Sequence, residues 1–245
     1  VLLLLPFTNL LAALIVRVVG QQSPPQAEDD LAPALNTVLF EMPPMAVDAV
    51  RREVLHLGER VADQLDAALP AILEDKDAAI DALHASEHLI NQHYASIVGF
   101  VEKLLQPQLP RDTCREAIDL VEAADYLESI GDLIDKEMIP LYRRHAERGT
   151  ATSQEAREQL CALAAAVSQE LRRALRAVAE SDQTLARAVL ETKTQVRSLE
   201  RAAIDIPLEP RLSDSPQRVL PTALERELTE SLRRAYSLVR RFVRL

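Results

Sequence analysis

The chain contains few of the residues that form nucleic-acid surfaces and phosphate-binding loops. Among its 245 residues there is no tryptophan, and there are only four tyrosines, four phenylalanines and five glycines. Phosphate backbones bind to cationic faces and single strands stack on aromatic rings, whereas this chain has a formal net charge of −10. Its glycines form no phosphate-binding loop pattern. We therefore expect no nucleic-acid partner.

Cysteines and candidate nucleophiles are equally scarce. The two cysteines, Cys114 and Cys161, lie in separate predicted helices, and neither has a second ligand residue at a metal-site spacing. This pattern indicates two plain thiols in a reducing compartment. No nucleophile is accompanied by a base and an orienting group at a workable spacing. We therefore predict that the chain is not an enzyme.

Segments in which apolar and polar residues alternate over the length of a strand are also missing, which excludes a β-rich domain. Apolar residues instead recur with the helical period. The pattern predicts a first helix over 45–73 and a second over 75–105. A third helix follows Pro110, is kinked at Pro140 and ends near His145.

A second set of three helices begins at a capping box formed by Thr152 and Glu155. Its helices are predicted over 153–180, 183–204 and 221–243. The fold class is therefore all-α, with two consecutive antiparallel three-helix bundles over 45–148 and 149–245.

The first sixteen residues carry no charge. As a helix they would span roughly 24 Å, which is shorter than the roughly 30 Å hydrocarbon core of a bilayer. Arg17 follows at the position of a cytoplasmic anchor. The pattern favours the end of a transmembrane helix over 1–19, embedded in the lipid bilayer, followed by a linker over 20–44. The alternative is a secretory signal peptide cleaved near Gly20.

The third predicted helix lacks basic residues where a soluble helix would have them. Between Glu116 and Asp135 there are seven acidic residues and no basic one. Asp125, Glu128, Asp132 and Asp135 follow one another at spacings of three, four and three residues, so they lie along one side of the helix. Neighbouring carboxylates on such a stripe are roughly 6 Å apart and repel by roughly 3 kcal/mol at an effective dielectric constant of about 20.

This acidic stripe predicts a bound cation. Glu128 and Asp132 are one helical turn apart and could chelate a hard or borderline ion, with Asp125 and Asp135 extending the site. Iron, zinc, manganese and magnesium all fit this description. The alternative is a solvated acidic face that binds nothing.

The second predicted helix offers further ligand residues. His84 and His88 are one turn apart, as are Glu87 and Asn91. Packed beside the acidic stripe they could complete a metal site, although surface histidines without a ligand are common. Gly131 costs about 1 kcal/mol in a helix interior relative to alanine, which suggests that it permits the close approach of a neighbouring helix.

The last predicted helix is rich in arginine. Cations near a helix C-terminus are favoured by the helix dipole, and contact with anionic lipid or an acidic partner is the alternative. The arginines are Arg226, Arg233, Arg234, Arg240, Arg241 and Arg244.

Several of these motifs resemble one family. Asp125-x-x-Glu-Ser-Ile-Gly-Asp132 is similar to the acidic motif of PhoU-like domains. In the second set of helices, the segments 190–193, 196–203 and 232–234 resemble the PhoU-like tail of bacterial sodium-dependent phosphate cotransporters. The resemblance extends over essentially the whole chain.

The resemblance implies a regulatory domain that follows the last membrane helix of a sodium/phosphate cotransporter. The transporter would lie in the bacterial inner membrane, with residues 20–245 in the cytoplasm and the upstream membrane domain as the partner. The resemblance is also compatible with a homodimer of this chain. The rival interpretation is a ligand-free, membrane-tethered helical scaffold.

PhoU-like domains can bind metal clusters on their acidic motifs. Carried over to this chain, Glu128 and Asp132 would be metal ligands and Asp125 a further one. In the second repeat the corresponding pair would be Glu227 and Ser231. Because one carboxylate is lost there, a second metal site is not expected.

Overall fold

A computed structural model of the chain describes residues 32–74, 77–106, 109–147, 152–204 and 219–245. Within these ranges every regular element is a helix, so the predicted all-α class is confirmed. The predicted membrane-helix end over 1–19 lies outside the described residues. No helix in the described part of the chain is both long enough and apolar enough to cross a membrane.

The first set of helices follows the predicted pattern closely. After a short 3-10 helix at Thr37–Glu41 come α1 (Pro43–Glu74), α2 (Asp77–Leu104) and α3 (Arg111–Asp132). The chain then continues without a break through a π-helical segment, Leu133–Met138, into α4 (Ile139–Ala146).

The π-helical segment lies just before Pro140, where a kink was predicted. The Ile139 N–H bonds the carbonyl of Ile134, five residues back. Pro140 then falls in the first turn of α4, where the hydrogen-bond pattern changes from the π-helical to the α-helical spacing. The wider turn therefore accommodates the missing N–H of the proline, which lies two residues after the π-helical segment ends.

The second set of helices has one more break than predicted. The helix expected over 183–204 is divided at Thr192, whose hydroxyl donates to the Val189 carbonyl at 2.8 Å and lies 3.0 Å from the Tyr236 hydroxyl. Such local side-chain bonds compete with the helical backbone pattern. The described helices are α5 (Gln154–Ala179), α6 (Gln183–Glu191), α7 (Lys193–Ile204) and α8 (Val219–Phe242).

The cap of α5 lies one residue later than predicted. Ser153, rather than Thr152, is the N-cap, and its hydroxyl accepts a hydrogen bond from the Ala156 N–H at 3.2 Å. A serine at this position satisfies the amide of the third helical residue. The pairing of Thr152 with Glu155 was therefore wrong by one position.

Helices α1 and α5 join the two sets. Helix α1 packs against α2, α3 and α5, while α8 packs against α3, α5 and α7. The buried apolar side chains of both sets form one continuous core. On the surface, the Arg172 guanidinium of α5 contacts three carboxylates of α1, with Glu59 at 3.1 Å and Asp63 and Asp66 at 2.8 Å each.

Gly58 allows the close contact between α1 and α5. A Cβ atom at this position would lie 2.2 Å from Cδ2 of Leu175, a buried residue of α5. Gly99 of α2 differs, because a Cβ there would meet nothing within 4 Å. The two glycines therefore form a matched pair for testing the packing.

We expect Gly58→Ala to lower the free energy of unfolding by about 1–3 kcal/mol, because the added methyl group overpacks the contact with Leu175. Gly99→Ala should instead raise it by about 0.5–1 kcal/mol, since alanine is the better helix former. Urea unfolding followed by circular dichroism measures both changes. Equal effects of the two substitutions would show that α1 and α5 do not meet at Gly58.

Candidate functional site

The acidic stripe of α3 lies against α2 rather than entirely in solvent. Glu128 is 4 % exposed, while Asp125, Asp132 and Asp135 are half-buried. Asp135 lies within the π-helical segment, an element that is frequent at functional sites. The stripe is therefore part of an interface between helices.

Helix α2 adds two of its predicted residues to this interface. Glu87 is 3 % exposed, and the charges of Asp132, Asp135 and Glu128 act on it. We call these four residues the carboxylate cluster. His84 Nδ1 lies 2.5 Å from Asp135 Oδ1.

Two of the predicted residues lie at the margin of the cluster or apart from it. His88 Nε2 of α2 lies 3.0 Å from the amide nitrogen of Gln92, one turn further along the same helix. Asp125 accepts a hydrogen bond from the Tyr94 hydroxyl at 3.4 Å. Asp125 is thus held on the same side of α3, but it is not one of the charges that act on Glu87.

Helix α1 supplies a residue that the sequence analysis missed. Gln64 is 2 % exposed, and its Nε2 donates to Glu87 Oε2 at 3.1 Å and to the Leu83 carbonyl at 3.4 Å. The available signal was an amide next to the core position Leu65, on the face of α1 that also buries Val61. A polar residue on a core-facing stripe points to a buried partner.

Gly131 makes room for this arrangement, as its position in the helix suggested. A Cβ atom on Gly131 would lie 2.4 Å from Glu87 Oε2 and 3.2 Å from Gln64 Oε1. The Glu87 carboxylate therefore sits directly over the backbone of α3. Any larger residue at position 131 would have to displace it.

The pKa of Glu87 is raised from 4.5 to about 7. Burial is the main cause, because it disfavours the charged form. The negative charges of Asp132, Asp135 and Glu128 raise the pKa further, whereas the hydrogen bond from Gln64 lowers it. Within the described part of the chain, neither Glu87 Oε1 nor Gln64 Oε1 has a hydrogen-bond partner. Either oxygen could accept a hydrogen bond or coordinate a cation.

Part of the stripe is neutralised from within the chain. The Lys136 ammonium contacts the Asp132 carboxylate one turn before it. Lys136 follows the acidic run directly, so the expectation that the stripe has no basic partner at i+4 was wrong at Asp132. Across residues 32–74, 77–106, 109–147, 152–204 and 219–245, no three His, Cys, Asp or Glu side chains are grouped as they would be around a metal ion.

A groove of about 390 Å³ opens beside Asp132, between the acidic stripe and α8. Arg234 forms one wall, and its guanidinium makes a two-pronged contact with the Glu137 carboxylate, with Nη1 to Oε1 at 3.0 Å. Lys136 and Arg241 also line the groove. The arginines of the last helix thus include one that ties α8 to the π-helical segment.

The second set of helices has no counterpart of the full cluster in its described part. Glu227, the predicted equivalent of Glu128, is exposed. Glu225 is buried instead, and Thr229 follows it one turn later with its hydroxyl on the Glu225 carbonyl at 2.8 Å. Ser231, the other member of the predicted pair, is buried. One carboxylate is still missing from the pair.

The PhoU domain family model matches residues 54–136. This span contains Gln64, Glu87 and the whole acidic stripe. It covers the cluster and leaves the second set of helices outside.

Among curated proteins, the chain is 24 % identical over 201 residues to the "Putative inorganic phosphate export protein YjbB" of Salmonella typhimurium. The match covers 82 % of this chain and 36 % of that protein. The chain thus spans about a third of the length of the curated relative that it matches.

Two solved structures share the fold. PhoU from Pseudomonas aeruginosa superposes with a TM-score of 0.70 at 21 % identity, covering 80 % of this chain and 93 % of that one. The phosphate transport system regulatory protein PhoU from Streptococcus pneumoniae gives 0.67 at 17 % identity, covering 82 % and 93 %. Both likenesses include the second set of helices, so the fold as a whole is PhoU-like.

The raised pKa of Glu87 predicts a specific pH dependence of stability. Between its ordinary pKa of 4.5 and the folded value of about 7, the folded state binds more protons than the unfolded state. The contribution of Glu87 to stability is therefore fully present below pH 4.5 and is lost as the pH rises through 7, a decline of roughly 3 kcal/mol. We expect Glu87→Gln to remove this decline, as measured by urea unfolding from pH 4.5 to 8.

The matched control is Glu102→Gln, which changes an exposed carboxylate near the end of the same helix. It should keep the decline of the unmodified protein. An unchanged pH profile in Glu87→Gln would mean that Glu87 is not buried among the other carboxylates.

Proposed function

We propose that this chain is the cytoplasmic regulatory domain of a sodium-dependent phosphate cotransporter in the bacterial inner membrane, and that its carboxylate cluster binds a divalent or trivalent metal ion. In this proposal, residues 1–19 are the end of the last membrane helix and 20–44 link it to the helices. The domain modulates phosphate transport and catalyses no reaction.

The observation that carries the metal proposal is that carboxylates from two helices lie near one another at a largely buried position. In the described residues no three of them are grouped around a common point, so a bound ion would draw them together. Glu87 and Glu128 are both nearly inaccessible to solvent, and Asp132 and Asp135 add their charges. Buried acids are retained when they are paired or coordinate metals. Oxygen ligands of this kind suit magnesium, manganese and iron, and His84 beside Asp135 adds a ligand suited to zinc.

Two rearrangements would accompany binding. A cation next to Glu87 favours its ionised form, so the proton that Glu87 holds below pH 7 would be released. At Asp132 the ion would replace the ammonium of Lys136. Lys136 would then be available in the groove beside Arg234, so occupancy of the cluster would alter the surface between α3 and α8.

The phosphate part of the proposal is supported by similarity. The match to the PhoU domain covers the cluster, and the Salmonella typhimurium relative is named as a phosphate export protein. Because that relative extends well beyond the region shared with this chain, an upstream membrane domain is the partner that we assign. The binding energy of the ion would bias the domain towards one packing against that partner, as a linked equilibrium.

Elemental analysis tests the metal site directly. The protein purified without chelator or affinity nickel should contain stoichiometric iron, zinc, manganese or magnesium. Glu128→Gln and Asp132→Asn should each weaken binding by roughly tenfold or more, since even the loss of an outer-shell partner has that effect. Asp119→Asn, on the same helix but outside the stripe, should bind normally.

A well-folded protein that ignores added cations would support the rival function, a ligand-free helical scaffold. The contacts of Asp132 with Lys136 and of Asp135 with His84 are the observations that favour it. A scaffold would have the same stability with and without added Mn²⁺, in the unmodified protein and in Glu128→Gln, whereas a metal site would be stabilised by the ion only in the unmodified protein.

A further inference from the structure

Residues 32–42 precede α1 and fold back onto the first set of helices. Ala32 is buried, and Leu35, Leu39 and Phe40 pack against the core. Asn36 caps the short 3-10 helix by accepting a hydrogen bond from the Val38 N–H at 2.9 Å. We call residues 32–42 the strap.

The strap has a polar anchor inside the protein. The Ala34 N–H donates to Glu53 Oε1 of α1 at 2.8 Å. The other carboxylate oxygen, Oε2, lies 2.9 Å from Nε2 of His93 on α2. Both side chains are fully buried, with 0 % exposure. A strap amide, an α1 carboxylate and an α2 imidazole thus form one buried chain of hydrogen bonds.

The strap also has an apolar anchor. The ring of Phe40 lies against that of Phe100 of α2, with centroids 4.8 Å apart and planes tilted by 42°. Tilted aromatic pairs at this distance are favourable. The two anchors lie at opposite ends of the strap, so it is fixed along its length against α1 and α2.

A purely structural contact would not need a buried acid. A well-packed apolar group is often as stable as a buried ionic pair or more so. Because the contact uses the Glu53 carboxylate, docking of the strap depends on the hydrogen bonds that this carboxylate receives. When the strap leaves, Glu53 loses the Ala34 amide and gains access to water, so the docked and released states differ in the solvation of a charge.

His93 makes the equilibrium between the docked and released strap depend on pH. Burial lowers its pKa below the ordinary 6.5, while the hydrogen bond and the charge of Glu53 oppose this shift. The charges of Arg60 and His56, both on α1, lower the pKa further. The docked state therefore favours neutral His93, and its protonation at lower pH favours any state in which the imidazole reaches water.

We propose that the strap is a releasable docking element: Glu53, His93 and Phe100 form a seat on α1 and α2 that holds residues 32–42, and release of the strap lengthens the tether between residues 1–31 and the helices. Eleven extended residues can span roughly 36–40 Å. The seat therefore sets how far the helices can lie from residue 32. This inference is independent of metal binding and of phosphate transport.

Hydrogen exchange measured by mass spectrometry on the whole chain tests the seat. Glu53→Gln keeps the shape of the side chain but removes the charge, so the amides of Ala34 to Met42 should exchange roughly tenfold faster. The amides in the middle of α1 and α2 should keep their protection. Glu41→Gln, an exposed carboxylate in the strap itself, should leave the strap protected.

Two further hydrogen-exchange experiments test the same proposal if Glu53→Gln is unstable. Phe40→Ala should loosen the strap selectively, and acidification of the unmodified protein from pH 7.5 to 5.5 should speed strap exchange beyond the intrinsic change. Strap amides that exchange no faster in any arm would overturn the proposal. Equal acceleration across the strap, α1 and α2 would also overturn it, because the strap would then be an inseparable part of the core.

Discussion

The burial of the Glu87 carboxylate between α1 and α3 is the constraint around which the first set of helices is organised. Gly131 gives the carboxylate its space, and Gln64 supplies its hydrogen bond. Three other carboxylates surround it. Burial and three nearby negative charges disfavour the ionised form of a carboxylate. Protonation removes this cost, and a cation beside the carboxylate offsets it. The same geometry explains the raised pKa, and it is the basis of the proposal that a metal ion binds here.

Side chains that contact both the carboxylate cluster and the neighbouring helices connect the cluster to the rest of the molecule. Asp132 contacts Lys136, which lines the groove towards α8, and Arg234 closes that groove by binding Glu137. At the other end, α1 and α2 carry the strap as well as Gln64 and Glu87. The helices that carry the cluster thus lead both to the second set and to the strap.

The helices and the acidic stripe could be predicted because they depend on periodicity, which is a local property of the sequence. The contacts of the stripe could not, because they depend on which helices meet. Gln64 is an isolated polar residue until α1 and α2 pack together. The face of α8 that is buried, with Glu225 inside and Glu227 exposed, is set by the helices around it. Lys136 lies one residue beyond the acidic run, and its contact with Asp132 depends on the rotamers of both side chains, which the sequence pattern does not determine.

The central claim is that Glu87 exchanges a proton for a metal ion, and calorimetric titration with Mn²⁺ in two buffers of different ionisation enthalpy tests it most directly. With a pKa of about 7, binding should release about 0.9 proton per ion at pH 6 and about 0.1 at pH 8 from this group. Glu87→Gln should abolish the difference in proton release between pH 6 and pH 8. Proton release that is the same at both pH values in the unmodified protein, or no binding at either, would contradict the account.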